Sequence, residues 1–182
     1  MNTGINADRY GSVSIALHWL MLLLIAVVYA CIELRGNFPK GGGIREGLKT
    51  WHFMLGLSVL VLVVGRIGVR LASGVPPIHP EPTQWQGLSA KAMHVALYVL
   101  MFAMPILGWL TLSAEGKVVP FFGVVLPAIV SESKLVANWA KEIHETGGTI
   151  GYFLIGLHAA AALFHHYFIR DNTLRRMLPG HD

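Results

Sequence analysis

The run His144-Glu145-Thr146-Gly147-Gly148-Thr149-Ile150-Gly151-Tyr152-Phe153-Leu154-Ile155-Gly156-Leu157-His158-Ala159-Ala160-Ala161-Ala162-Leu163-Phe164-His165-His166 decides the fold. Most of it is apolar enough for the interior of a bilayer, yet His144, Gly151, His158 and His165 recur at intervals of seven. Each such interval drifts by only about 20° around an ideal helix, so the four positions share a face. The axial rise from His144 to His158 is about 21 Å, which sets one histidine near each membrane surface.

The rest of the chain has the same character. Hydrophobic residues make up 54% of the sequence and charged residues 13%, a balance that points away from a soluble domain. Four apolar blocks, about 14–34, 48–71, 92–112 and 144–169, each have the roughly 20 residues that a hydrocarbon core of about 30 Å requires. The expected fold is an all-α integral membrane protein, a four-helix bundle in one domain spanning 1–182. An even number of crossings puts both termini on one side. A fifth stretch, Val118 to Val130, is too short to cross and is interrupted by Pro120, Gly123 and Pro127; it reads as an interfacial or re-entrant cap. Gly36 to Gly43 and Gly74 to Gly87, the latter with Pro76, Pro77, Pro80 and Pro82, read as loops. The first block also faintly resembles a secretion signal, with Val28-Tyr29-Ala30-Cys31 as a cleavage-like site. It is long for a signal core, and no soluble domain follows it. The single Cys31 is uninformative about redox compartment.

Nine histidines are present, and His18, His52, His94, His144, His158, His165 and His166 lie in or at the ends of the apolar blocks. Ionisable groups there are costly and mark functional sites by default, although a single one is often just an interhelical hydrogen bonder. Depth pairs His52 with His144 near one surface and His18 with His158 near the other. Two imidazoles on facing helices suit the axial positions of a haem iron. Zinc is the rival occupant, but its ligands cluster closely with Cys or carboxylate partners. Two protein ligands on each iron leave no open position for oxygen chemistry, which favours electron transfer. His94, one turn inside the third helix, competes with His18 as partner of His158; His18 is preferred, and the role of His94 stays open. Gly147, Gly148 and Gly151 either leave room for a porphyrin or serve close helix packing. His79 and His181 are expected to be solvent-exposed.

Lys and Arg do not orient the bundle. Arg9, Arg66, Arg70, Lys91, Arg170, Arg175 and Arg176 on one side balance Arg35, Lys40, Arg45, Lys49, Lys117, Lys134 and Lys141 on the other. The first side has fewer acids (Asp8, Glu81, Asp171 and Asp182, against Glu33, Glu46, Glu115, Glu132, Glu142 and Glu145), which leans towards termini inside.

Ser14-Ile15-Ala16-Leu17-His18-Trp19, Glu33-Leu34-Arg35-Gly36, Val75-Pro76-Pro77-Ile78, the Gly151–Leu163 run, His165-His166-Tyr167-Phe168 and Asp171-Asn172-Thr173-Leu174 together resemble the bacterial di-haem cytochrome b561 family, and within it the superoxide oxidases. The resemblance implies an inner-membrane oxidoreductase with cytoplasmic N- and C-termini. Such an enzyme oxidises superoxide at the periplasmic side and reduces ubiquinone near the cytoplasmic side through two b haems. It implies His18 and His158 as ligands of the inner haem iron, His52 and His144 as ligands of the outer one, and His165 at the quinone. Lys49, Lys141 and Arg35 are candidates for steering superoxide, with a solvated loop as the plainer reading. Arg70 is a second quinone candidate, or a headgroup anchor like Arg66, Arg170 and Arg175. No nucleic acid and no obligatory protein partner are expected. The alternative is a cytochrome b membrane anchor that relays electrons between a separate dehydrogenase or hydrogenase and quinone.

Overall fold

The computed structural model describes residues 8–179, so His181 and Asp182 lie outside the described residues. Four long helices dominate: α1 (Ser12–Leu34), α2 (Gly43–Ser73), α3 (Gln84–Ala114) and α4 (Lys134–Phe164). All four are long and apolar enough to cross a membrane. At 31 residues each, α2, α3 and α4 rise about 46 Å and outreach a hydrocarbon core of about 30 Å. Their polar ends therefore extend as helix beyond the apolar blocks, and the expected starts at 48, 92 and 144 fall inside the helices. The true starts follow local chemistry. Thr83 and Gln86 form a reciprocal capping box at the head of α3, and the Ser133 hydroxyl accepts from the Val136 N–H at the head of α4.

The stretch expected to be an interfacial or re-entrant cap is a β-hairpin. β1 (Val119–Phe121) pairs antiparallel with β2 (Val124–Leu126). Phe122 and Gly123, at φ 45° and 86°, supply the two left-handed residues that a tight hairpin turn needs. Val119 is 1% exposed and packs with Leu57 of α2 and Leu112 of α3, which ties the hairpin to one end of the bundle.

The first and last described segments meet at the opposite end, where the Tyr10 N–H donates to the Arg176 carbonyl and Trp19 Nε1 donates to the Met177 carbonyl. The hairpin end and the terminal end are thus distinct. Between them α1 packs along α2, α2 along α3, and α3 along α4, whereas α4 makes no comparably extensive contact with α1 or α2 among the described residues. Leu23, Val61, Val95 and Phe153 are exposed, as suits helices whose outward solvent is lipid. The space between α4 and the α1–α2 pair holds two cavities.

Candidate functional site: two histidine-flanked cavities

The hairpin-end cavity has a volume of about 500 Å³ and is lined by His52 and His144 from α2 and α4. Their ring centroids are 6.0 Å apart. His52 Nδ1 lies 3.0 Å from the Val28 carbonyl and His144 Nδ1 lies 2.9 Å from the Met104 carbonyl. A ring whose Nδ1–H donates to a carbonyl keeps its Nε2 lone pair free, the arrangement a metal-binding histidine requires. Gly56, one turn beyond His52, lines the same cavity, and a Cβ there would meet nothing within 4 Å.

The glycines expected to make room on α4 divide. Gly148 lines the cavity. Gly147 faces Met104, whose sulfur a Cβ would approach to 2.6 Å, and Gly151 faces the Tyr29 hydroxyl and Leu100. These two serve close packing. Tyr29 donates to the Gly148 carbonyl at 2.8 Å. Ile25, Leu100 and Met101 border both cavities and form a thin apolar partition between them.

The terminal-end cavity, about 200 Å³, is lined by His18, His94 and His158. Ring centroids lie 6.3 Å apart for His18 and His158, and 5.6 Å for His94 and His158. Proximity therefore brings both candidates to His158 and does not choose between them. His18 Nδ1 sits 3.3 Å from Arg66 Nη2. Arg66 can only donate, so this nitrogen accepts, the reverse of the arrangement at His52 and His144.

Arg66, Arg70 and Arg176 all line this cavity. Among the described residues none of the three forms an ion pair with a carboxylate. Arg176 is 8% exposed, and its Nε is buried without a partner. A buried guanidinium with an unsatisfied nitrogen is costly, so Arg176, with the half-buried Arg66 and Arg70 on the same cavity, makes this end suited to an anion.

The remaining predicted residues fall at the two ends. Lys49, Lys141 and Arg35 line the hairpin-end cavity, together with Lys117, which sequence reasoning left among the loop charges. Glu33, Glu115 and Glu145 line it too, and Lys117 and Lys141 pair with Glu115 and Glu145 at 2.8 and 3.8 Å. His165 does not line the terminal-end cavity and so is not brought together with Arg70. It starts a π turn, His165–Ile169, and its Nδ1 lies 2.5 Å from Asp171 Oδ2. Asp171 was legible only as part of a motif and a charge count.

Residues 9–180 match the family described as prokaryotic cytochrome b561. The chain belongs to the prokaryotic cytochrome b561 family. It is 41% identical over 172 residues to cytochrome b561 homolog 1 of Escherichia coli, covering 94% of this chain and 98% of that protein. It is 38% identical over 171 residues to the probable superoxide oxidase CybB of Yersinia pestis, covering 94% and 96%. Identity to cytochrome b562 of Cereibacter sphaeroides is 29% over 178 residues. As a cytochrome b561 family member the chain is a bacterial membrane protein that binds haem b and transfers electrons.

The residues of this cytochrome b561 suit such a group. A metal-bound imidazole nitrogen lies about 2 Å from the metal and about 1 Å from its ring centre, so two rings flanking one iron have centres roughly 6 Å apart. The His52–His144 separation of 6.0 Å matches this, and open space surrounds Gly56. At the terminal end the unpartnered Arg176 Nε and its two neighbouring arginines suit the carboxylates that a haem carries.

Proposed function

We propose that this cytochrome holds two b haems and acts as a superoxide:ubiquinone oxidoreductase, as a single domain in the bacterial inner membrane with both termini cytoplasmic. The observation that carries the reading is the pair of histidine-flanked cavities stacked along α4, one at each end of the bundle. In this reading His52 and His144 hold the periplasmic haem, and His18 and His158 the cytoplasmic one. Haem, when bound, supplies reversible one-electron chemistry.

The protein's own residues supply everything else. Arg35, Lys49, Lys117 and Lys141 at the mouth of the hairpin-end cavity outnumber Glu33, Glu115 and Glu145. That excess favours entry of a small anion such as superoxide. The rings of His52 and His144 are fixed by the carbonyls of Val28 and Met104, which limits reorganisation when charge changes. The partition of Ile25, Leu100 and Met101 keeps water out of the path between the cavities while leaving them adjacent. At the terminal end Arg66, Arg70 and Arg176 balance negative charge, and His165, at the lipid-facing end of α4, offers a hydrogen bond to a quinone carbonyl. The name borne by the Yersinia pestis relative supports superoxide as donor.

Stopped-flow mixing of purified protein with superoxide, with and without ubiquinone, tests this. Rapid appearance of the reduced b-type spectrum, followed by reoxidation only when ubiquinone is present, is expected. A spectrum unmoved by superoxide would reject the donor, and one that stays reduced with ubiquinone present would reject the acceptor.

A further inference from the structure

After α4 the chain reverses tightly. His165–Ile169 form a single π turn, and Arg170 follows in the left-handed region at φ 60°. π turns inside or at the end of α-helices accompany functional sites, and this one folds Asp171 back over its own helix. The Asp171 N–H donates to the His165 carbonyl at 3.3 Å, His165 Nδ1 donates to Asp171 Oδ2 at 2.5 Å, and the Thr173 N–H donates to Asp171 Oδ1 at 2.8 Å.

Asp171 is 4% exposed and is the only buried carboxylate among the described residues. Burial alone would raise its pKa, but the hydrogen bonds from His165 and Thr173 outweigh burial and hold the carboxyl below its usual 3.8. The segment that carries it is pinned. Arg176 Nη1 donates to the Pro76 carbonyl at 2.6 Å, Asn172 exchanges backbone and side-chain bonds with His79, and Asn172 Nδ2 reaches the Pro77 carbonyl. The Thr173 N–H and the anchored segment hold Asp171 beside His165. The imidazole in turn has one nitrogen committed to the carboxylate, and its side chain remains 20% exposed beside the exposed rings of Phe164 and Phe168.

A buried ionised carboxylate on an imidazole Nδ1 does two things. It fixes the tautomer, leaving Nε2 as the reactive nitrogen, and it balances the positive charge the ring acquires whenever Nε2 takes a proton. We infer that Asp171 is the positioning residue for proton delivery to the quinone, acting through His165 Nε2. The inference rests on the reading of His165 as the quinone contact. Converting a quinone to a quinol takes two electrons and two protons; the electrons come from two superoxide anions, which leave as dioxygen. Each proton passes from Nε2 to a quinone oxygen, the N–H bond breaking as the O–H bond forms, while the ring keeps its Nδ1–H on Asp171. Water at the terminal end then returns a proton to Nε2. Arg176 is the charged group that faces Asp171 from the terminal segment, and the carboxylate favours its charged form.

Asp171→Asn tests this, because the amide retains a hydrogen-bond acceptor and loses the charge. In the haem-loaded protein, reduction by superoxide should proceed at the parent rate. Turnover with a short-chain ubiquinone should fall by about tenfold or more with KM within about twofold, and a solvent deuterium isotope effect larger than the parent's should appear. Asp171→Glu should recover part of the turnover. Asn172→Ala cuts only the side-chain bonds to Pro77 and His79, leaves Arg176 on Pro76, the backbone bond to His79 and the dyad itself in place, and should keep parental turnover and isotope effect. Parental quinone turnover in D171N would overturn the inference, as would D171N and N172A losing activity alike with no new isotope effect, or loss of haem from D171N. Full quinone turnover in His165→Ala would instead reject the quinone site itself.

Discussion

The two cavities differ in how their histidines are held. At the hairpin end, His52 and His144 each rest on a backbone carbonyl, and the space around Gly56 is open. At the terminal end three histidines crowd a cavity less than half as large, and Arg66 reaches across to His18 while donating also to the Ser14 carbonyl. One end is preorganised by the main chain, which a bound group cannot displace. The other is organised by charged side chains, which reorient when an anion arrives. In the proposed two-haem reading, a haem at the hairpin end would meet imidazoles already oriented by carbonyls, whereas His18 would have to release Arg66 before its Nε2 could serve as a ligand.

The strongest way to break this contrast is His144→Ala, which should abolish the hairpin-end haem and leave the other in place. On the proposed reading of one haem for each pair, quantitative pyridine haemochrome analysis should then give about half the parental haem; loss of both would show that the cavities are not independent. Next in size, Gly56→Leu should plug the open space and lower the content of the same haem without unfolding the bundle, because a Cβ at this position meets nothing within 4 Å and the side chain extends into the cavity. Circular dichroism alongside haem content separates the two effects. At the terminal end His18→Ala should lose the second haem while His94→Ala retains it. The opposite result would move the ligand to His94, which lies closer to His158.

Smaller effects come from charge. Replacing Lys49, Lys117 and Lys141 together with Gln should slow superoxide capture by a few-fold to about tenfold at low salt and less at high salt; a salt-independent rate would dismiss steering. The smallest concerns acid. Because the folded Asp171 carboxyl titrates below its usual 3.8, the stability it contributes is fully present above that value and is lost as pH falls through the folded pKa. Limited proteolysis of the terminal segment should therefore accelerate only below about pH 4, and D171N should be cut equally at all pH values.

The helices and their histidines were legible because lipid imposes long apolar runs and makes each polar residue within them conspicuous. The β-hairpin was not, since two strands of three residues show too little alternation, and Pro120 argued against a ladder. Gly147 and Gly151 were ambiguous for a related reason: a missing side chain marks both a cavity and a close contact, and only neighbours such as Met104 and Tyr29 tell them apart. Gly56 could have been found as the glycine one turn after His52 on the same face. Asp171 had a fainter signal, an acid six residues beyond His165, which needed the π turn to bring it back.

That α4 contributes His144 and His158 to both cavities also sets a schedule for synthesis. Of the four described helices it leaves the ribosome last, so a chain stalled before it has His52 without its partner at the hairpin end and only His18 and His94 at the terminal end. Neither of the proposed histidine pairs, His52 with His144 or His18 with His158, can form until α4 has joined the bundle.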